Sequence, residues 1–168
     1  ALEICTAMIE RRIAVSWCCF CRGGEVDPEL LRVMKRSGCY QVSIGVESGG
    51  PRILSILNKK IPLEKTIESI RYLHDAGIRV HGFFIIGSPG ETEESLRKTR
   101  SLINTLPFSS IQLSYFSPLP GTAAEGMVEE YGRIQCDAVA ANLWEPVFIP
   151  KGLDIRRMEH AYRRILRG

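Results

Sequence analysis

Apolar positions along this chain follow two alternating periods. Leu2, Ile4, Cys5, Met8 and Ile9 fall at helical spacing within residues 1–11. Residues 13–19 (IAVSWCC) form a short apolar run, predicted as a buried strand. Asp27 followed by Pro28 has the form of an N-cap and first helical position. Leu30, Leu31 and Met34 give that helix its apolar face, to about Ser37, where Gly38 stops it. Residues 40–46 (YQVSIGV) alternate, with Val42, Ile44 and Val46 on one face and Gln41, Ser43, Gly45 and then Glu47 on the other. Ser48 to Pro51 predicts a turn and 52–57 a short helix. Pro62 opens a longer helix to about Ala76, closed by Gly77. Residues 79–86 (RVHGFFII) make the most apolar strand. A loop of Gly87, Pro89 and Gly90 follows, then an amphipathic helix from Glu91 to Asn104 whose first-turn acids suit the helix dipole. Residues 110–117 (SIQLSYFS) alternate again. Pro118 and Pro120-Gly121 break the pattern before a short helix predicted at 122–131. Residues 132–152 show little periodicity, and Trp144, Pro146 and Pro150 predict an extended segment. Asp154 then caps a last, basic helix to about Leu166.

Strands near 13, 40, 79 and 110, each followed by a helix, spell four βα units. Such alternation demands a parallel sheet with right-handed crossovers. The fold class is α/β: a partial TIM-like barrel over residues 1–131, then a C-terminal extension with a terminal helix over 132–168. A closed (β/α)8 barrel takes roughly 250 residues, so 168 residues hold only part of one. The chain also opens on Ala, mid-pattern, as a fragment of a longer chain would. Four strands would leave an unpaired edge, and the chain is expected either to self-associate through that edge or to be one piece of a larger chain.

Composition narrows the class. Hydrophobic residues make up 45% and charged residues 24%, which excludes a disordered or collagen-like chain. The formal charge of +3 is too weak to argue for a nucleic-acid partner. No apolar run approaches the roughly 18–20 residues of a membrane span, and no signal-peptide pattern opens the sequence. A cytoplasmic location is expected, and the six cysteines (Cys5, Cys18, Cys19, Cys21, Cys39 and Cys136) read as reduced thiols, mostly buried. The Cys18-Cys19-Phe20-Cys21 string offers no fourth ligand of matching spacing for a metal.

Sites in parallel α/β folds form at the carboxyl ends of the strands. Arg22 stands there after the first strand and Glu47-Ser48-Gly49-Gly50 after the second. Gly87 to Thr92 follows the third, and Ser117 to Thr122 the fourth. The small, polar face of Gln41, Ser43, Gly45 and Glu47 leaves space with a carboxylate at its mouth. Gln112, Ser114 and Phe116 offer a similar face. This suits a ligand with amine or hydroxyl donors. Competing readings stay open: Glu47 as a cap of the following turn, the glycines as backbone freedom, and Arg22 as a solvated surface residue. His81 reads as a satisfied strand histidine, His74 and His160 as exposed, and the arginines at 156, 157, 163 and 164 as the solvated face of the last helix.

In order and spacing, Trp17 through Arg22, Val26 to Leu31, Gly45-Val46-Glu47-Ser48-Gly49, His81 to Gly87, Pro89-Gly90-Glu91-Thr92 and Pro118 to Thr122 resemble a radical SAM enzyme. The closest likeness is to the branch that often carries a cobalamin-binding domain. The resemblance covers about residues 1 to 130 and implies strands three to six of a (β/α)6 barrel. It implies S-adenosylmethionine and a [4Fe–4S] cluster as cofactors of the intact parent, with cobalamin as a further one. In that family three thiolates of a CxxxCxxC loop hold the cluster, and reductive cleavage of the bound cofactor gives a 5′-deoxyadenosyl radical. No CxxxCxxC occurs in this sequence, so no residue is carried over as a metal ligand or as catalytic. The cofactor-binding residues implied are Arg22, Glu47, Ser48, Gly49, Gly87, Pro89, Gly90, Ser114 and Phe116. Glu47 would accept from cofactor amine or ribose groups, Arg22 would meet a carboxylate, and Gly87 to Gly90 would admit the adenine. The implied function is a part of the S-adenosylmethionine cradle of an Fe–S oxidoreductase or methyltransferase acting on a small molecule, inactive by itself. The alternatives are a catalytically dead α/β ligand-binding module and an unrelated half-barrel enzyme. The second is weakened by the lack of a Gly-x-Gly-x-x-Gly or P-loop lysine.

Overall fold

A computed structural model describes residues 1–135 and 144–167. Cys136, one of the six cysteines, and part of the segment expected to be extended lie outside the described residues.

The chain builds one four-stranded parallel sheet in the order β1-β2-β3-β4, with helices in the connections. The strands are β1 (Trp17–Cys21), β2 (Cys39–Glu47), β3 (Arg79–Ile86) and β4 (Ser110–Tyr115). The helices are α1 (Leu2–Glu10), α2 (Pro28–Arg36), α3 (Pro51–Ile56), α4 (Leu63–Asp75) and α5 (Glu93–Thr105). A strand order that never reverses is that of a stretch of βα barrel; a doubly wound sheet switches direction. After β4 come a 3-10 turn (Glu125–Met127), α6 (Val128–Tyr131), β5 (Gly132–Ile134), β6 (Phe148–Pro150) and α7 (Ile155–Leu166).

Two compact units divide the residues. The first comprises Ala1–Val46, Ile61–Phe83 and Leu106–Gln112. Its core is the apolar face read from the sequence: Val42, Ile44 and Val46 of β2 are buried with Val80 of β3, Leu31 and Met34 of α2, and Ile70 and Leu73 of α4. Full burial of each such side chain contributes roughly 1.5–3 kcal/mol. The Asp27 carboxylate accepts from the backbone N–H groups of Glu29 and Leu30 at 2.9 Å, the cap foreseen for α2. Gly24 N–H donates to Ser69 Oγ at 2.7 Å and ties the loop after β1 to α4.

Strand β1 departs from expectation. The apolar run at 13–19 does not pair as a buried strand: Ile13 and Val15 are 47% and 48% exposed, and pairing begins at Trp17, opposite Cys39. The parallel register against β2 and the Trp17 indole N–H to Ser37 O bond (3.0 Å) set where the strand starts. Phe20, 80% exposed, stacks on Phe83 with ring centroids 5.8 Å apart. Cys5 and Cys39 are buried as expected, but Cys18 is exposed and Cys19 and Cys21 are half-buried. Burial pushes the thiol of Cys39 up to about 12 and that of Cys21 to about 11.

The second unit comprises Glu47–Lys60, Phe84–Thr105 and Leu113–Gly168. Its core gathers Ile53, Leu54, Phe84, Ile86, Leu96, Leu113, Phe148, Ile149, Met158 and Ile165. The region read as aperiodic holds an antiparallel pair of strands, β5 against β6, matching Gly132 with Pro150 and Ile134 with Phe148. Three-residue strands are too short for a period to show. Asp154 caps α7 by accepting from Arg157 N–H at 2.8 Å. The helix is also held by Tyr162, whose hydroxyl donates to Leu113 O (3.2 Å) and whose ring stacks on Tyr115 at 5.0 Å. The helix expected at 122–131 is instead the 3-10 turn followed by the single turn of α6.

Candidate functional site

Glu47 ends β2 with φ +67°, a left-handed backbone that a residue with a long side chain rarely adopts. Its half-buried carboxylate takes Lys59 Nζ on Oε1 at 3.2 Å, leaving Oε2 without a partner among the described residues. The next two candidates face inward. Ser48 Oγ accepts from Gly50 N–H (3.1 Å) and shares a hydrogen bond with Thr99 Oγ1 (3.3 Å), while Gly49 N–H donates to Thr99 Oγ1 at 2.9 Å. Any Cβ on Gly49 would strike the backbone of Lys98 and Thr99, so glycine is what lets this loop lie on α5.

The loop after β3 is organised by a residue that the sequence reading did not single out as a site residue. Glu91 is buried, and its Oε2 accepts from the N–H groups of Gly87 (2.6 Å) and Ser88 (3.2 Å). Burial raises its carboxyl to about 7, against the two backbone donors and the Ser95 hydroxyl, which pull it down. The signal lies in Pro89-Gly90-Glu91-Thr92, where the sequence pattern alone makes Glu91 a first-turn acid of the helix. The helix in fact begins at Glu93, and Glu91 turns back onto the loop. Gly87 sits at φ +77°, and a Cβ there would overlap Met158 Cε; one on Gly90 would overlap Ile56 Cδ1. The space beside both glycines is therefore filled by the chain's own side chains. Pro89 is buried between them.

In the strand-four candidates, Ser114 Oγ donates to Phe84 O at 3.3 Å. Phe116 lies just past β4, where its N–H donates to Ile86 O (2.8 Å) and its ring packs edge-on to Phe148 at 5.4 Å. Arg22 is exposed and belongs to the first unit; the other candidates belong to the second. His81 is satisfied as read, with Nδ1 2.7 Å from Ser110 Oγ.

Two hydroxyls outside the implied cofactor-binding set are left over. Ser88 Oγ and Ser117 Oγ, in the loops after β3 and β4, are buried with no hydrogen-bond partner among the described residues. Buried polar groups are nearly always paired. Each of the two hydroxyls lies at the carboxyl end of a strand, as Glu47 does. Among the described residues no three His, Cys, Asp or Glu side chains group to hold a metal ion.

The radical SAM superfamily pattern matches residues 3–103. The chain belongs to the radical SAM superfamily. Among curated relatives, an uncharacterized methyltransferase of Pyrococcus horikoshii is 30% identical over 122 residues, 73% of this chain and 27% of its own length. The cytidylyl-2-hydroxyethylphosphonate methyltransferase of Streptomyces wedmorensis is 40% identical over 104 residues, 58% of this chain and 20% of that protein. The chain thus spans about a quarter of the length of these relatives. Among solved structures, coproporphyrinogen III oxidase of Escherichia coli, a radical SAM enzyme, superposes with a TM-score of 0.70 at 14% identity over 98% of this chain and 36% of its own. The methyltransferase TsrM of Kitasatospora setae, solved with cobalamin and a [4Fe-4S] cluster bound, gives a TM-score of 0.61 at 21% identity over 67% of this chain and 22% of its own. These likenesses fix the partial-barrel fold of the radical SAM superfamily. Among the described residues no helix is long and apolar enough to cross a membrane.

Proposed function

We propose that this chain forms part of the S-adenosylmethionine cradle of a radical SAM methyltransferase or Fe–S oxidoreductase that acts on a small molecule. The observation that carries the reading is Glu47: a carboxylate held at a strand end in a strained backbone, with one oxygen open. Strain of this kind persists where the surroundings over-determine it, and it concentrates at ligand clamps. Its Oε2 accepts from an amine or ribose hydroxyl of the cofactor, and Ser88 and Ser117 offer hydroxyls at the neighbouring strand ends. Glu91 holds the Gly87–Ser88 backbone so that the loop keeps one shape. When bound, S-adenosylmethionine supplies the radical or methyl chemistry. The cluster ligands come from a CxxxCxxC segment that is not in this sequence, and the family likeness to a cobalamin-containing methyltransferase supports cobalamin as a further cofactor of the parent.

Calorimetric titration of the 168-residue chain with S-adenosylmethionine tests the reading. Saturable binding is expected, weakened by Glu47→Ala by roughly 1–3 kcal/mol, the cost of leaving a buried donor unpaired. Equal affinity in the variant would show that Glu47 only shapes the turn. Anaerobic reconstitution with iron and sulfide is expected to give no cofactor cleavage; cleavage would place the cluster on this chain's own thiols.

A further inference from the structure

A groove of about 800 Å3 runs between α5 and α7 in the second unit, lined by residues that the cofactor reading does not use. Arg97 and Arg100 line it from α5, and Arg156, Arg157 and Arg164 from α7. Among the described residues, Glu93 and Asp154 are the only acids on its wall, and both are taken by one guanidinium: Arg157 meets Glu93 Oε1 at 3.0 Å and Asp154 Oδ2 at 3.5 Å. The other four arginines make no ion pair among the described residues. Five arginines against two carboxylates leave an excess of three positive charges, equal to that of the whole chain.

Two further observations point the same way. The Nε of Arg100 is buried without an acceptor, and an unmade bond to a buried donor costs free energy until something supplies an oxygen. The first turn of α7 carries Arg156 and Arg157 and no acid. Cations there oppose the positive end of the helix dipole; Arg157 is compensated by its ion pairs to Glu93 and Asp154, but Arg156 has no such pair among the described residues, and helix stability does not explain it. A local rule broken without a structural gain marks a functional site.

The lining also selects among anions. Among the described residues no Phe, Tyr or Trp lines the groove, so nucleic-acid bases would find no aromatic stacking platform there. Leu96 and Ile165, on its floor, are 5% and 3% exposed, which leaves little apolar surface for the anchors of an acidic helix. The volume is that of a small-molecule pocket. Phosphate brings nearly two charges and three acceptor oxygens in a compact group, and arginine matches it with paired N–H donors.

We propose that the α5–α7 groove binds a compact small molecule carrying two or more phosphate groups. The site shares no residue with the cofactor cradle.

The test is calorimetric titration of the chain with sodium tripolyphosphate at low ionic strength. One saturable site is expected. The double variants Arg97→Gln/Arg100→Gln and Arg156→Gln/Arg164→Gln each weaken it at least tenfold, with circular dichroism unchanged. Arg71→Gln, on exposed α4, leaves it within twofold. The proposal is overturned by no saturable binding, by equal affinity in both double variants, or by an RNA 20-mer or an oligoglutamate peptide that binds while tripolyphosphate fails to compete. None of these outcomes alters the S-adenosylmethionine titration, so the two readings fail separately.

Discussion

Replacing Glu91 by Gln tests how the loop after β3 is held. The amide oxygen of Gln can accept from Gly87 and Ser88 N–H as Oε2 does, and its NH2 can donate to Ser95 Oγ, so the contacts survive while the charge is removed. Glu91 titrates near 7 in the folded chain against an ordinary value of 4.5, chiefly because it is buried. Between those values the folded state binds more protons than the unfolded one, so the stability it contributes is full below about pH 4.5 and is lost as pH rises through 7. A shift of this size corresponds to about 2–3 kcal/mol lost between pH 5 and pH 8. Urea denaturation of both proteins at pH 5, 6, 7 and 8 reads this as a difference in which the other titrating groups cancel. The parent loses about 2–3 kcal/mol relative to Glu91→Gln across that range, mostly below pH 7.5. Parallel pH profiles would refute the reasoning and show that the carboxylate is ionised and compensated at every pH tested.

Three other outcomes follow from the packing. Gly87→Ala places a Cβ at positive φ against Met158 and lowers stability by about 1–3 kcal/mol; Met158→Ala in the same chain relieves the overlap but not the backbone strain, which chemical denaturation of both variants resolves. Asp27→Ala frees two backbone donors at the start of α2 and costs about 1 kcal/mol in the same assay. Thiol titration at pH 8 labels exposed Cys18 first, while buried Cys39, whose thiol lies near 12, reacts only on unfolding; fast labelling of Cys39 would contradict its burial.

The βα alternation was legible because the strands of this sheet carry clear patterns. Val42, Ile44 and Val46 alternate with polar residues, and Arg79–Ile86 is read to the residue. The start of β1 was not legible, since hydrophobicity at Ile13 and Val15 says nothing about pairing, and Trp17 is placed by its partner strand. In the candidate site, the strand ends were visible but the division of labour was not. Ser48, Gly49 and Ser114 carry the small, polar chemistry a ligand would want, yet their groups are spent on Thr99, α5 and Phe84 O. By pattern Glu91 is a first-turn acid, and only the tertiary course of the loop turns it toward the N–H groups of Gly87 and Ser88.

The left-handed backbone at Glu47 has a practical outcome for anyone who evolves this protein. The conformation suits glycine, and Glu47→Gly should relieve on the order of 1 kcal/mol of backbone strain, offset in part by loss of the Lys59 ion pair. A library ranked on melting temperature alone would drift toward that exchange and discard the one open carboxylate oxygen at this strand end. On the proposed role of Glu47, heat resistance and ligand retention are opposed at this position, so thermostabilised lineages need a binding screen alongside the thermal one.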